Sequence, residues 1–176
     1  CYGGGISSIE QARKIINLGA EKICIQSGAF NSKALIKELS QNFGNQSVVL
    51  SLDIKKNIFG KFRLWNYLKN EFYKIDDIFT FIDEMVELGV GEIILNDVDR
   101  DGTMKGTNKD LIKMFSNRIK VPTIFCGGVN SIVDMKDSFE NGARSIAAGS
   151  YFVFYGPKKA VLISYPSEEI KMLLND

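Results

Sequence analysis

The chain has 176 residues, 45% of them hydrophobic and 24% charged, and a formal net charge of +1. That length suits one domain with a sizeable core, and so small a net charge gives no field to gather nucleic acid or an anionic membrane. There is no histidine, which excludes Ser-His and Cys-His nucleophile systems and most zinc sites and leaves acid–base work to carboxylates, Lys, Tyr or Cys.

Short apolar runs alternate with longer helical patterns along the chain. Expected strands are Cys1–Gly3, Lys22–Gln26, Val48–Asp53, Glu92–Asn96, Thr123–Cys126 and Ser145–Ala148. Expected helices are Ile9–Leu18, Ser32–Asn42, Ile75–Leu88, Asn108–Phe115 and Ile132–Asn141; in the third, Ile75, Ile78, Phe79, Ile82, Met85 and Val86 share a face at helical spacing. Strands apolar on both faces, alternating with helices, imply a parallel sheet with right-handed crossovers. Between Lys55 and Tyr67 a hairpin-like insertion is expected, with Ile58-Phe59 as one arm, a Gly60-Lys61 turn, and Phe62–Trp65 as the other arm. No run approaches the roughly 18–20 apolar residues of a membrane helix. Cys24 and Cys126 lie in strand-like runs that suit reduced thiols, and no secretory pattern opens the chain, so a cytoplasmic location is expected.

An internal repeat organises these elements. Residues 4–29 align without gaps on residues 127–152, an offset of 123 (127 minus 4). The identities are Gly4/Gly127, Gly5/Gly128, Ser8/Ser131, Ile9/Ile132, Gly19/Gly142, Ala20/Ala143, Ile23/Ile146 and Ser27/Ser150. Each copy reads as strand end, Gly-Gly, helix, Gly-Ala, strand, Ser. This predicts an α/β (β/α)8 TIM barrel of two half-barrel repeats, in which residues 1–176 form a single barrel domain. The N-terminal segment of about 75 residues, carrying the first two βα units, is expected to be absent from the chain. An open doubly wound sheet of six strands is the competing architecture.

Candidate chemistry gathers at the carboxyl ends of the strands. The Gly-Gly pairs precede helices, where backbone N–H groups and the helix dipole can hold an anion, and Ser27 and Ser150 can add a hydroxyl donor. Two such sites would suit an elongated substrate with a phosphate at each end; tight turns alone would also use these glycines. Asp53 closes its strand and faces the barrel mouth as a candidate general acid–base, or merely caps a turn. Asp97, Asp99, Arg100 and Asp101 precede Gly102 and Thr103 in a run that could cap a turn or border phosphate; metal binding there has little support. At the opposite rim Lys22 and Glu92 each open a strand and, if inward, must pair.

Tyr2-Gly3-Gly4-Gly5-Ile6, Leu18-Gly19-Ala20-Glu21-Lys22, Ser51-Leu52-Asp53 with Lys55, Gly91-Glu92-Ile93-Ile94-Leu95, Asp99-Arg100-Asp101-Gly102-Thr103 and Gly127-Gly128 together resemble the cyclase subunit family of imidazole glycerol phosphate synthase. The resemblance runs from Cys1 to about Phe152. It implies a lyase of histidine biosynthesis that takes ammonia from a partner glutaminase, as a heterodimer. The ammonia passes through the barrel to a ribulosyl-aminoimidazole-carboxamide carrying two phosphates; no cofactor, metal, nucleic acid or membrane is implied. By resemblance Asp53 is catalytic, with a second aspartate on the absent first strand. Gly5, Gln26 and Ser27 match one phosphate site, and Asp101, Gly102, Gly128, Gly149 and Ser150 the other or its rim. Lys22 and Glu92 match an ammonia gate, and Glu21 a glutaminase-docking position. Gln26 stands where Asn is usual and Asn96 where Thr is usual. The hairpin Lys55–Lys61 and the tail Phe152–Ile163 look more like a paralogous branch that supplies ammonia for amidation of bacterial surface sugars. A non-catalytic, ammonia-channelling scaffold is a third expectation.

Overall fold

The computed structural model describes residues 1–156, 158–163 and 168. Its elements run in chain order as β1 (Tyr2–Gly3), α1 (Ile9–Asn17), β2 (Ile23–Ile25), α2 (Ser27–Asn31), α3 (Lys33–Phe43), a 3-10 turn at Asn45–Ser47 and β3 (Val48–Lys56). Then come β4 (Phe62–Asn66), β5 (Glu71–Phe72), α4 (Ile78–Glu87), β6 (Glu92–Asp97), α5 (Lys109–Ser116), β7 (Thr123–Cys126), α6 (Ile132–Glu140), β8 (Ser145–Ala147), α7 (Ser150–Val153), β9 (Phe154–Tyr155) and β10 (Ala160–Val161). All six expected strands and all five expected helices form, with ends shifted by up to three residues. Pro157, inside the tail quoted above, lies outside the described residues.

The main sheet is ordered β1-β2-β3-β6-β7-β8, every pair in that path parallel. Sheet order follows chain order and never reverses. A doubly wound sheet requires a reversal at its switch point, so this is the partial (β/α)8 barrel. The sheet curls: Lys22, just ahead of β2, forms an ion pair with Glu92 at the start of β6, although β3 lies between those strands.

One sheet face and the helices make the core. Val48, Leu50, Leu52 and Ile54 alternate along β3 and pack with Ile23, Ile25, Ile93, Leu95 and Phe125 against Ala12, Ile36, Leu39, Ile82, Met85, Ile112 and Phe115 of the helices. Period-two strands and period-3.6 helices place these side chains on facing surfaces. The other, concave face carries Cys24, Ser51 and Asp53, which line a common cleft.

The repeat identities have structural causes. Ser8 and Ser131 cap α1 and α6, accepting the N–H groups of Gln11 at 3.3 Å and Asp134 at 3.2 Å. Gln11 and Asp134 reach back to the N–H groups of Ser7 and Asn130, in the manner of a capping box. Gly19 and Gly142 follow those helices with φ of 101° and 102°.

The structure corrects several local expectations. β3 runs on to Lys56 and pairs antiparallel with β4, so Ile58 and Phe59 sit at the hairpin tip rather than in an arm. The Asn57 side chain closes that turn by accepting from the N–H groups of Phe59 and Lys61, both at 3.0 Å. Helix α4 begins at Ile78 rather than Ile75, because Asp77 caps it, accepting from Phe79 and Thr80. Ser27 and Ser150 open the short helices α2 and α7 instead of ending strands.

Candidate active site

At the carboxyl ends of β1, β2 and β3 a cleft of about 630 Å³ is lined by Gly3, Gly4, Gly5, Cys24, Gln26, Ser27, Ser51 and Asp53, and closed by Asn66, Tyr67, Leu68 and Tyr73. Four expected site residues therefore meet in one place: Gly5, Gln26, Ser27 and Asp53. Asp53 is held by two amides. Gln26 Nε2 donates to its Oδ2 at 2.6 Å, and Asn96 Nδ2 donates to its Oδ1 at 3.0 Å. A carboxylate offers about four lone-pair sites, so two remain for a ligand or proton. Among the described residues, no hydrogen bond takes up the backbone N–H of Gly5 or Ser27.

The second repeat builds a narrower crevice of about 20 Å³ from Asp101, Gly102, Met104, Gly127, Gly128, Val129 and residues 147–150, which include Gly149 and Ser150. All five residues expected at the second anion site meet there. The backbone N–H groups of Gly128 and Ser150 are likewise unclaimed among the described residues. Asp53 lines the first cleft and not this crevice.

Most of the charge in the run after β6 is spent inside the loop. Arg100 Nη1 donates to the carbonyls of Lys105, Gly106 and Thr107 at 3.3, 2.8 and 3.1 Å. Asp97, 3% exposed, accepts from Asn108 Nδ2 at 2.6 Å and from the N–H of Asp99 at 3.1 Å. Burial holds its carboxyl above the usual carboxylate range, against the Asn108 hydrogen bond. Asp99 accepts from the N–H of Lys56 and ties the hairpin to this loop. Asp101 and Gly102 are what the run leaves to the crevice.

Between mouth and floor the concave face carries Gly3, Cys24, Ser51 and Cys126 together with Val49, Ile94 and Ile124, which alternate with the core positions of β3, β6 and β7. A Cβ on Gly3 would collide with Cys24 at 2.9 Å. Burial, then the proximity of Cys126 and Glu92, pushes the Cys24 thiol up to about 11. Burial and the Asp101 charge push Cys126 to about 11. At the floor Lys22 and Glu92 form the inward ion pair that an isolated charge would need, with Glu92 the more buried partner. Glu21, Lys22, Gln46, Ser47, Gly91, Glu92 and Pro122 border a second hollow of about 480 Å³ on that rim. Among the described residues no group of three His, Cys, Asp or Glu side chains could hold a metal ion, and no helix is long and apolar enough to cross a membrane.

Sequence reasoning missed Asn66, Tyr67, Leu68 and Tyr73. The hairpin was legible, but its return over the cleft depends on β4 pairing with β5, and only two residues of β5 take part.

Residues 1–157 match the family model described as histidine biosynthesis protein. A Pseudomonas aeruginosa protein provisionally named imidazole glycerol phosphate synthase subunit hisF2 is 43% identical over 167 residues, 94% of this chain and 66% of that protein. A Vibrio vulnificus protein provisionally named subunit hisF3 is 41% identical over 173 residues, covering 97% and 66%. The Alkaliphilus metalliredigens imidazole glycerol phosphate synthase subunit HisF is 32% identical over 153 residues, covering 87% and 60%. The chain spans about two thirds of the length of these relatives or a little less.

Proposed function

The chain belongs to the histidine biosynthesis protein family, and on that footing we propose that it is the ammonia-using cyclase part of an imidazole glycerol phosphate synthase. The observation that carries this reading is the cleft uniting Asp53 with the unclaimed N–H groups of Gly5 and Ser27 at the carboxyl ends of parallel strands. That face of a barrel is where such folds keep their chemistry.

In this reading residues 1–176 belong to a single barrel domain. Gly5, Gln26 and Ser27 border one phosphate of a ribulosyl-aminoimidazole-carboxamide bisphosphate, and Asp101, Gly102, Gly128, Gly149 and Ser150 border the other. Asp53 moves protons as ammonia adds and the ring closes; cleavage then releases imidazole glycerol phosphate and an aminoimidazole carboxamide ribotide. Ammonia comes from a glutaminase docked at the floor, near Glu21. The Lys22–Glu92 pair gates its entry toward Asp53. No cofactor enters this chemistry.

Asp53→Asn in the whole gene product, supplied with ammonium and the bisphosphate, should cut turnover by about 10²–10⁴-fold and leave the far-ultraviolet circular dichroism unchanged. Turnover at the wild-type rate would remove Asp53 from the mechanism.

A specific observation favours a second reading, an ammonia-supplying paralogue serving amidation of a surface sugar. Gln26 and Asn96, where the resemblance expects Asn and Thr, are the residues that hold Asp53. The relatives at 43% and 41% identity also bear the numbered names hisF2 and hisF3. Silence toward the bisphosphate, with glutaminase binding intact, would select this reading.

A further inference from the structure

The hairpin inserted between β3 and α4 adds nothing to the path β1-β2-β3-β6-β7-β8, yet it closes one side of the Asp53 cleft. Two of its polar side chains are placed with care. Tyr73 stacks on Phe30 of α2, ring centroids 3.7 Å apart and 8° from parallel, and Phe30 stacks in turn on Phe81 of α4 at 4.9 Å and 5°. Phe81 is 6% exposed, so the three rings run from the core to the cleft wall and fix the plane of the tyrosine. The backbone there is pinned as well: the Tyr73 N–H donates to the Leu64 carbonyl at 3.0 Å, and Arg63 Nη2 donates to the carbonyls of Tyr73 at 3.5 Å and Ile75 at 2.9 Å. Asn66 is 8% exposed, and its Oδ1 accepts from the N–H of Lys69 at 3.2 Å.

Each of these anchored side chains keeps a polar group for the cleft. Among the described residues, neither Asn66 Nδ2 nor the Tyr73 hydroxyl makes a hydrogen bond. Both residues line the cleft, and neither group is spent on the protein, so both are available to a ligand there. The amides of Gln26 and Asn96 do not compete for that ligand, because both are turned onto Asp53. The glycine and serine N–H groups suit an anion. Asn66 and Tyr73 are neutral groups that can donate and accept, which suits uncharged oxygens beside that anion. The Asp53 charge also reaches Tyr73, whose phenol is raised first by burial and then by that carboxylate.

We propose that Asn66 and Tyr73 are specificity residues of this cleft, reading the hydroxyl and carbonyl oxygens of the sugar-derived chain next to the phosphate at Gly5 and Ser27. The inference rests on the phosphate-ester reading above and adds the groups that distinguish a sugar phosphate from phosphate alone.

The test is titration calorimetry on the whole gene product with D-ribulose 5-phosphate and inorganic phosphate as probes. Tyr73→Phe removes one oxygen and keeps the ring stack. Asn66→Ser keeps an oxygen for the Lys69 N–H and withdraws the amide from the cleft. Wild type should prefer the sugar phosphate by about tenfold or more, and each variant should lower that preference by roughly three- to tenfold, with phosphate affinity held within about twofold. An undiminished preference in both variants would overturn the proposal and leave the phosphate reading standing. So would wild-type binding of phosphate without preference for the sugar ester, or equal weakening of both probes in the variants, which marks a structural role. Wild type binding neither probe would bring down the phosphate reading and this inference together.

Discussion

Cys24 and Cys126 show how far the setting of one side chain can depart from its intrinsic chemistry. Both sit, partly buried, on strands facing the concave side, and both thiols are pushed to about 11 from an ordinary value of 9.0. The thiolate is the reactive form, and a thiol raised that far holds about a hundredth of the ordinary thiolate fraction near pH 8. Iodoacetamide at pH 8 should therefore modify each about a hundredfold more slowly than a free thiol, read by peptide mass spectrometry, until denaturant equalises them. Labelling of either at the free-thiol rate would show that its setting does not suppress the thiolate. Asp53, by contrast, is set by geometry, held between the side-chain amides of Gln26 and Asn96.

At the scale of elements, the two Gly-Gly turns share a sequence but not an environment. A Cβ on Gly5 would meet nothing within 4 Å, whereas one on Gly128 would collide with the Gly106 carbonyl and press on Arg100. Both glycines have positive φ, 66° and 85°. The cause is the loop after β6, whose carbonyls Arg100 gathers against Gly128, with the Gly106 N–H donating to the Gly128 carbonyl at 2.8 Å. Gly5→Ala should cost about 1 kcal/mol, the backbone penalty alone. Gly128→Ala adds a backbone collision and should cost about 3 kcal/mol or more. Urea denaturation of the two variants measures the difference; equal costs would show that the loop yields freely.

Within the described sheet, pairing is most extensive between β3 and β6. β3 and β6 share six register pairs, while β1 joins β2 through two and β8 joins β7 through three. Burial follows the same gradient: β1 is exposed throughout, and Ser145 and Ala147 of β8 are exposed. Local opening is easiest where few buried contacts resist it. Amide hydrogen exchange on the whole gene product should thus be slower across Val49–Ile54 and Ile93–Leu95 than in the hairpin strands β4 and β5. Uniform protection would contradict this gradient.

Apolar period and repeat identity were enough to read the parallel strands, their helices and the duplicated module, because local sterics and capping enforce them: Ser8 and Ser131 cap helices in any context that forms those helices. The same local logic had Asp53 closing its strand, whereas β3 runs on through it to Lys56, because Ile54–Lys56 pair with β4. What it left undecided was long-range. Only the closed register of β4 on β3 and β5 swings Asn66 and Tyr73 over the cleft, and only the curl of the sheet brings Lys22 to Glu92. The inequality of the two glycine turns likewise arises from a loop that neither repeat encodes. Periodicity along a chain fixes which face a side chain takes; which distant segment meets that face is set by packing the elements together.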